Sequence, residues 1–232
     1  MKVATSPEFL ESVANDERVH KWVAEDGKPI SLAAIWPESI GIEFDTGGFL
    51  FQRLGVGVYE VHTLFLPKSV RVYDKARLAA QYMFCATDCK EILTKVPAFN
   101  IAARHLTERM WFIKDFYRTK AFAGHDVEYF RLPLKTWMFC ESALAVAGKE
   151  FHARLEASGK HANHEDDAAH DQAVGYAIAT ARMGLLDKAA SIYNEWALFA
   201  GYEPAKQTKE AGTFSIGDVT VRFSNGEYEL CQ

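Results

Sequence analysis

The sequence has no basic run, no long apolar segment and no C-x-x-C cysteine knuckle, and each lack removes a class of function. Its 26 Lys+Arg are outnumbered by 31 Asp+Glu, for a net charge of -5, so it has no basic excess to neutralise a phosphate backbone or an anionic bilayer. Charges interrupt every apolar stretch well before the ~20 residues that a membrane span needs. The start, MKVATSPEFLESVANDE, lacks the apolar centre of a secretion signal. A cytoplasmic protein is expected, with neither nucleic acid nor membrane as partner. The four cysteines, Cys85, Cys89, Cys140 and Cys231, form no C-x-x-C knuckle, and Cys85 and Cys89, four apart on an expected helix, read as small core residues. G-x-S-x-G, P-loop and H-E-x-x-H patterns are missing too, which leaves hydrolase, nucleotide-triphosphate and metalloprotease readings without support.

What is present reads as an α/β chain with a mixed sheet and flanking helices. At 232 residues it can bury a full core in one large domain, or in one ordinary domain and an appendage. Helical spacing from Pro7 to Val23 is broken at Asn15-Asp16, predicting one or two short helices. From Ile40 to Leu66, β-branched and aromatic runs separated by glycine-bearing turns predict three consecutive antiparallel strands. A helix is expected from about Asp74 to Thr87, with Ala76, Ala79, Ala80, Met83 and Phe84 inward. A short strand follows over Glu91–Val96, halted by Pro97, then a helix capped by Asn100 with Ala103, Leu106 and Met110 inward. Two further strands are expected over Trp111–Tyr117 and Asp126–Leu132.

Beyond Pro133 the spacing turns helical, with helices expected from Thr136 towards Ala157, from about Glu165 to Met183, and from Leu186 to Ala200. Thr213–Leu230 reads as a terminal β-hairpin around Ser224-Asn225-Gly226, because Asn-Gly favours a two-residue turn. The chain thus divides into residues 1–133 and a helical extension, 134–232. Trp137, Phe139, Tyr176, Tyr193, Trp196 and Phe199 are more aromatic surface than a short appendage buries alone, so packing on the first region or in an oligomer is expected.

Three antiparallel strands followed by a strand–loop–helix crossover and a strand–helix unit carry two motifs. Arg71-Val72-Tyr73-Asp74-Lys75-Ala76 resembles the Q/R-x-x-G-x-G/A loop of the GNAT superfamily of N-acetyltransferases. Asn100-Ile-Ala-Ala-Arg-His-Leu-Thr-Glu-Arg-Met-Trp-Phe112 resembles its N-x-x-A-x-x-x-Y-E-K-x-G-F segment. The resemblance covers residues 1 to 133 and implies that acetyl-CoA is the cofactor, if the protein is active, with its pyrophosphate held by backbone N–H groups at a helix N-terminus. Asp74 stands where the loop's glycine is expected, bringing a negative charge towards an anion; it reads equally as a helix cap. Thr107 aligns with the family's acidic tyrosine and Trp111 with its glycine, leaving Tyr117 as a nearby alternative acid. Tyr59-Glu-Val-His-Thr-Leu-Phe-Leu-Pro67, Thr87–Pro97 and Asn100 also resemble acetyltransferase-like proteins of tailed bacteriophages.

Glu60 and His62 share a face of one strand and have the chemistry of a general base; they read equally as a surface patch or a satisfied buried pair. His164, Asp167 and Asp171 recur at helical spacing within His161–Asp171, yet Asn163-Glu165-Asp166 is also what a helix start requires, and no metal is expected. Two functions follow. One is a module that keeps the fold without catalysis, in assembly or in a phage particle, with a homo-oligomer or virion proteins as partners. The other is an amine acetyltransferase using Glu60 or His62 as base, the Arg71–Ala76 loop on the pyrophosphate, and Asn100 ordering the substrate side.

Overall fold

The computed structural model describes residues 1–24, 27–157, 168–200, 206–207, 212–216, 219–224 and 227–231. They fall into two compact units, Met1–Leu134 and Lys135–Gln232. In the first, β2 (Ser39–Phe44), β3 (Gly47–Gly55) and β4 (Val58–Phe65) form an antiparallel meander, with β1 (Lys2–Val3) added beside β2. The helix α3 (Val72–Ala86) then carries the chain over the sheet, as a parallel connection requires, to β5 (Glu91–Pro97) beside β4. After α4 (Ile101–Arg109), β6 (Ile113–Phe122) and β7 (His125–Pro133) form a hairpin whose second strand lies against β5. The resulting order is β1-β2-β3-β4-β5-β7-β6. The expected mixed sheet with flanking helices is therefore present. Cys89 falls beyond the end of α3, buried in the following loop.

Two helices, α1 (Glu8–Ala14) and α2 (Glu17–Val23), are separated where expected, because the Asp16 carboxylate accepts the Arg18 amide and starts a new helix. Leu10, Val13, Ala14 and Val19 form one core with Leu50 and Leu64, which fixes these helices on the sheet face shared by Leu50, His62 and Leu64. The opposite face carries Phe44, Phe49 and Phe65, and Lys75 of α3 stands over Phe44 and Phe65 at 5.8 and 5.6 Å.

Parallel pairing between β4 and β5 lasts three residues: Val58↔Glu91, Tyr59↔Ile92 and Glu60↔Leu93. Its closed end is tied by the Lys90 and Glu91 amides, which both donate to the Gly57 carbonyl at 2.7 and 3.0 Å. Beside it the Tyr59 hydroxyl donates to Asp88 at 2.6 Å, and Arg53 donates to the other carboxylate oxygen at 2.7 Å. The next bond across is the Thr94 hydroxyl to the Val61 carbonyl at 3.2 Å.

The second unit holds α5 (Leu134–Cys140, beginning at the boundary), α6 (Ser142–Ala157), α7 (Ala168–Arg182) and α8 (Leu186–Ala200). The helix expected from Thr136 to Ala157 is two helices. No glycine or proline marks the break; buried Glu141 makes it, its carboxylate accepting the Ala143 amide at 3.3 Å. The expected terminal hairpin is a four-stranded antiparallel sheet of β8 (Lys206–Gln207), β9 (Thr213–Ile216), β10 (Val219–Ser224) and β11 (Glu227–Cys231). One extra strand arises because β9 and β10 pair with each other, with Val219 opposite Ile216, and the other is β8, which pairs with β9 at Lys206↔Ser215 and Gln207↔Phe214. The Asn225-Gly226 turn lies outside the described residues. Phe151, Val174, Ile178, Tyr193, Val221 and Tyr228 join helices and sheet in one core. Trp137 and Tyr176 meet edge to face at 5.6 Å, Phe139 is exposed, and the Trp196 and Phe199 side chains lie outside the described residues. Among the described residues no helix is long and apolar enough to cross a membrane.

Two expected outcomes test these supports. A methyl group on Gly175 would stand 1.8 Å from the Leu144 carbonyl, where α6 and α7 touch backbone to backbone. Gly175→Ala should therefore lower the unfolding free energy by about 1–3 kcal/mol in a denaturant titration. Tyr59→Phe should cost about 1 kcal/mol at neutral pH. Burial, then the bond to Asp88, pushes the Tyr59 hydroxyl up to about 12, so its stabilisation is lost as pH rises from the unfolded value of about 10 towards that figure. The stability difference between wild type and Tyr59→Phe should accordingly shrink over that range.

Candidate functional site

Beyond Glu60 and Leu93 the two parallel strands part, and the gap opens towards their carboxyl ends, where α3 and α4 begin. Open α/β sheets take ligands at such ends, and helix N-termini offer amides and a favourable dipole to an anion. Strand alternation also directs the Thr63 backbone N–H and C=O, like those of Val61, into the gap, past the last paired residue. A second groove, of about 500 Å³, lies at the closed end against Pro37, Arg53, Val56 and Tyr59. Its polar side chains are those of Glu38, Ser39, Arg53 and Tyr59.

The loop from Pro67 to Arg71 is bent by two non-glycine residues with left-handed backbones, Lys68 (φ 66) and Arg71 (φ 57). That bend starts α3 at Val72, two residues before Asp74, with Arg71 as its cap residue. Asp74 is therefore not the helix cap; the left-handed turn at Arg71 takes that place. The first turn closes when the Lys75 amide donates to the Arg71 carbonyl at 3.1 Å, so the Val72, Tyr73 and Asp74 amides have no acceptor within the helix.

The six side chains expected around this loop have different surroundings. Arg71, 79% exposed, donates from Nε to Asp74 at 2.8 Å, so the cation and the anion at the helix start offset each other. Tyr73 lies beneath the Arg109 guanidinium at 4.1 Å, with Arg77 at 5.9 Å. Lys75 is bound to Asp45, and Ala76 is buried, so neither side chain is left for the loop. Val72 contributes its amide.

In the second motif Asn100 accepts the Ala103 amide at 3.1 Å and caps α4, as expected of it. Thr107 is buried and donates to the Ala103 carbonyl at 2.9 Å, so its hydroxyl is committed to its own helix. Trp111 has φ 62, retaining with a bulky side chain the backbone that a glycine adopts without strain. Tyr117 is not brought to the gap. It lies on the edge strand β6, with β7 and β5 between it and β4, opposite Glu128. The two bulges in β6 and the insertion of β7 set this position, and neither is signalled by residue spacing alone.

Glu60 and His62 do come together. They stand on the face covered by α1 and α2, with His62 Nε2 3.4 Å from Glu60 Oε1. A third residue joins them: Lys95 Nζ reaches from β5 across the parting strands to within 3.0 Å of the same oxygen. Glu60 is 16% exposed and Lys95 49%. Burial holds the His62 imidazole below its usual pKa; the Glu60 charge opposes that shift and the Lys95 charge adds to it. The ring is thereby kept neutral near pH 7, with a nitrogen able to accept a proton. Lys95 was not singled out by its sequence context. The alternation of Glu91–Val96 places it on one face of a strand, but its pairing with Glu60 depends on a register between strands that are not neighbours in sequence.

Of the potential metal cluster, His161, His164 and Asp167 lie outside the described residues. Asp171 pairs with His152 of α6 at 2.7 Å. No group of three metal-ligating side chains occurs among the described residues.

No protein-family model and no curated protein matches the chain. Solved structures do. Spermidine N-acetyltransferase from Vibrio cholerae, in complex with CoA and spermine, is 14% identical with a TM-score of 0.50, covering 59% of this chain and 96% of its own. A probable acetyltransferase is 16% identical with a TM-score of 0.46, covering 56% and 88%. The ribosomal-protein-S5-alanine acetyltransferase from Vibrio fischeri is 12% identical with a TM-score of 0.46, covering 59% and 93%. At these identities the likeness is one of architecture. Seven strands in mixed order, opened between β4 and β5 and flanked by four helices, have the fold of the GNAT acetyltransferases.

Proposed function

We propose that the amino-terminal unit binds an acyl-CoA in the gap between β4 and β5 and transfers the acyl group to an amine, with His62 as the general base. The observation that carries this reading is the approach of His62 Nε2 to 3.4 Å from Glu60 Oε1 where the β4 and β5 pairing ends. The residues present fit the cofactor in part. The Val72, Tyr73 and Asp74 amides suit its pyrophosphate, and the backbone of Thr63 faces the opening in which its extended arm would lie. The bound thioester would supply an activated acyl carbonyl.

The chain's own residues then have distinct tasks. Glu60 orients the His62 ring and Lys95 balances the Glu60 charge. His62 takes the proton that the acceptor amine loses as its nitrogen bonds to the carbonyl carbon. With Thr107 committed to α4 and Tyr117 on the far strand, the departing thiolate takes its proton from water.

A second reading is favoured by the Arg71–Asp74 pair, which places a carboxylate beside the amides meant for an anion. A like charge there at about 4 Å opposes binding by about 1–4 kcal/mol between water-like and surface dielectrics. In this reading the fold serves assembly, with further copies or virion proteins as partners and no cofactor.

Calorimetric titration of acetyl-CoA and free CoA at low salt separates the two. Binding at about micromolar strength, tightened roughly tenfold by Asp74→Asn, is expected for the first reading, and no heat up to about millimolar ligand would leave the second. For the active protein, His62→Gln should lower kcat/KM for an amine acceptor by about 10²–10⁴-fold. Because only neutral His62 accepts the proton, kcat/KM should fall on the acid side with a midpoint below about pH 6.5. Lys95→Gln should move that midpoint up and Glu60→Gln should move it down.

A further inference from the structure

Lys95 of β5 stands beside the Glu60–His62 pair where β4 and β5 part. Its partner on β7 is Tyr129, whose ring stacks on Phe116 at 4.5 Å. On its other side β5 has no strand to pair with, since β4 has already turned away. The side chain therefore leans over the gap, and its amine comes to rest 3.0 Å from Glu60, whose same oxygen is 3.4 Å from His62 Nε2. Lys75 is held by Asp45 and Lys114 by Glu128, on other parts of the unit. Among the described residues of the unit, Lys95 is the primary amine that joins the base pair while half exposed.

We propose that Lys95 is itself an acyl acceptor, modified at Nζ by the acyl-CoA that the neighbouring gap takes up. The inference rests on the reading of that gap given above. The Lys95 ammonium loses one proton through Glu60 and His62 to water, and the free amine attacks the thioester carbonyl. A C–N bond forms as the C–S bond breaks, and the second proton goes to the leaving thiolate. The product is an amide, which donates no acyl group onward. The modified side chain has lost its charge against Glu60 and fills the place of the acceptor, so the reaction closes the site.

Peptide mapping by mass spectrometry of the full chain after incubation with acetyl-CoA tests this directly. Acetylation of Lys95 should run at least tenfold faster than that of exposed Lys120, which sets the uncatalysed rate. His62→Gln should bring the two rates together. Lys95→Arg, which keeps the cation against Glu60, should remove one fast acetyl group per chain. A second readout needs no transfer: free CoA should shield Lys95, and leave Lys120 open, in labelling with limiting acetic anhydride. Lys95 reacting no faster than Lys120, or equally fast without His62, overturns the inference. If the protein binds CoA and acetylates a free amine while Lys95 stays unmodified, the inference falls and the acyltransferase reading stands; without CoA binding both fall.

Discussion

The site depends on one feature of the sheet: β4 and β5 are paired to each other for three residues and to their outer neighbours for their whole lengths. Each strand is thereby part of a rigid half-sheet, β1–β4 or β5–β7–β6, and the two halves are joined only near Val58–Glu60. Backbone groups that would normally satisfy each other are left facing an opening. The tie of Tyr59, Asp88 and Arg53 sits beside the paired end and reinforces it.

Charge is handled differently at the two ends of this opening. At the helix start, Arg71 and Asp74 cancel within one turn, and the remaining attraction for an anion comes from backbone amides and the helix dipole. Where β4 and β5 part, Glu60 is shared between a cation and an imidazole, and burial holds the latter below its usual pKa. An exposed pair such as Arg71–Asp74 is screened by water and salt, so it weakens a binding site by a modest factor. The half-buried group of Glu60, His62 and Lys95 is screened less, and removing Glu60 or Lys95 there alters the protonation of His62.

The elements were legible where they depend on local chemistry. Asp16, Asn100 and the glycines between Ser39 and Val58 set boundaries that residue types announce. The same holds for the strand–loop–helix order from Val58 to Arg109, from which the mixed sheet and its family likeness follow. The start of α3 was misplaced because a left-handed arginine is a tertiary choice, invisible in a residue type that seldom makes it. The split at Glu141 escaped notice for the same reason: helical periodicity continues through it, and a buried carboxylate, not a breaker residue, stops the helix. Glu60 and His62 were readable as a pair because alternation along one strand suffices to join them. Lys95 was not, since its place is fixed by how far β4 and β5 run together before they part.

That distinction bears on how far the altered motifs count against chemistry. Asp74, Thr107 and Trp111 depart from the GNAT motifs that this chain resembles, at the start of α3 and in and after α4, whereas Glu60, His62 and Lys95 stand on β4 and β5. The two groups share no hydrogen bond or ion pair, so the loss of charge complementarity at α3 does not disturb the base. The proposed base therefore stands apart from the altered motifs, with His62, 30% exposed, beside Glu60 where β4 and β5 part. Burying two ionisable groups costs free energy that an apolar pair would not, and here the cost falls on the lip of the gap.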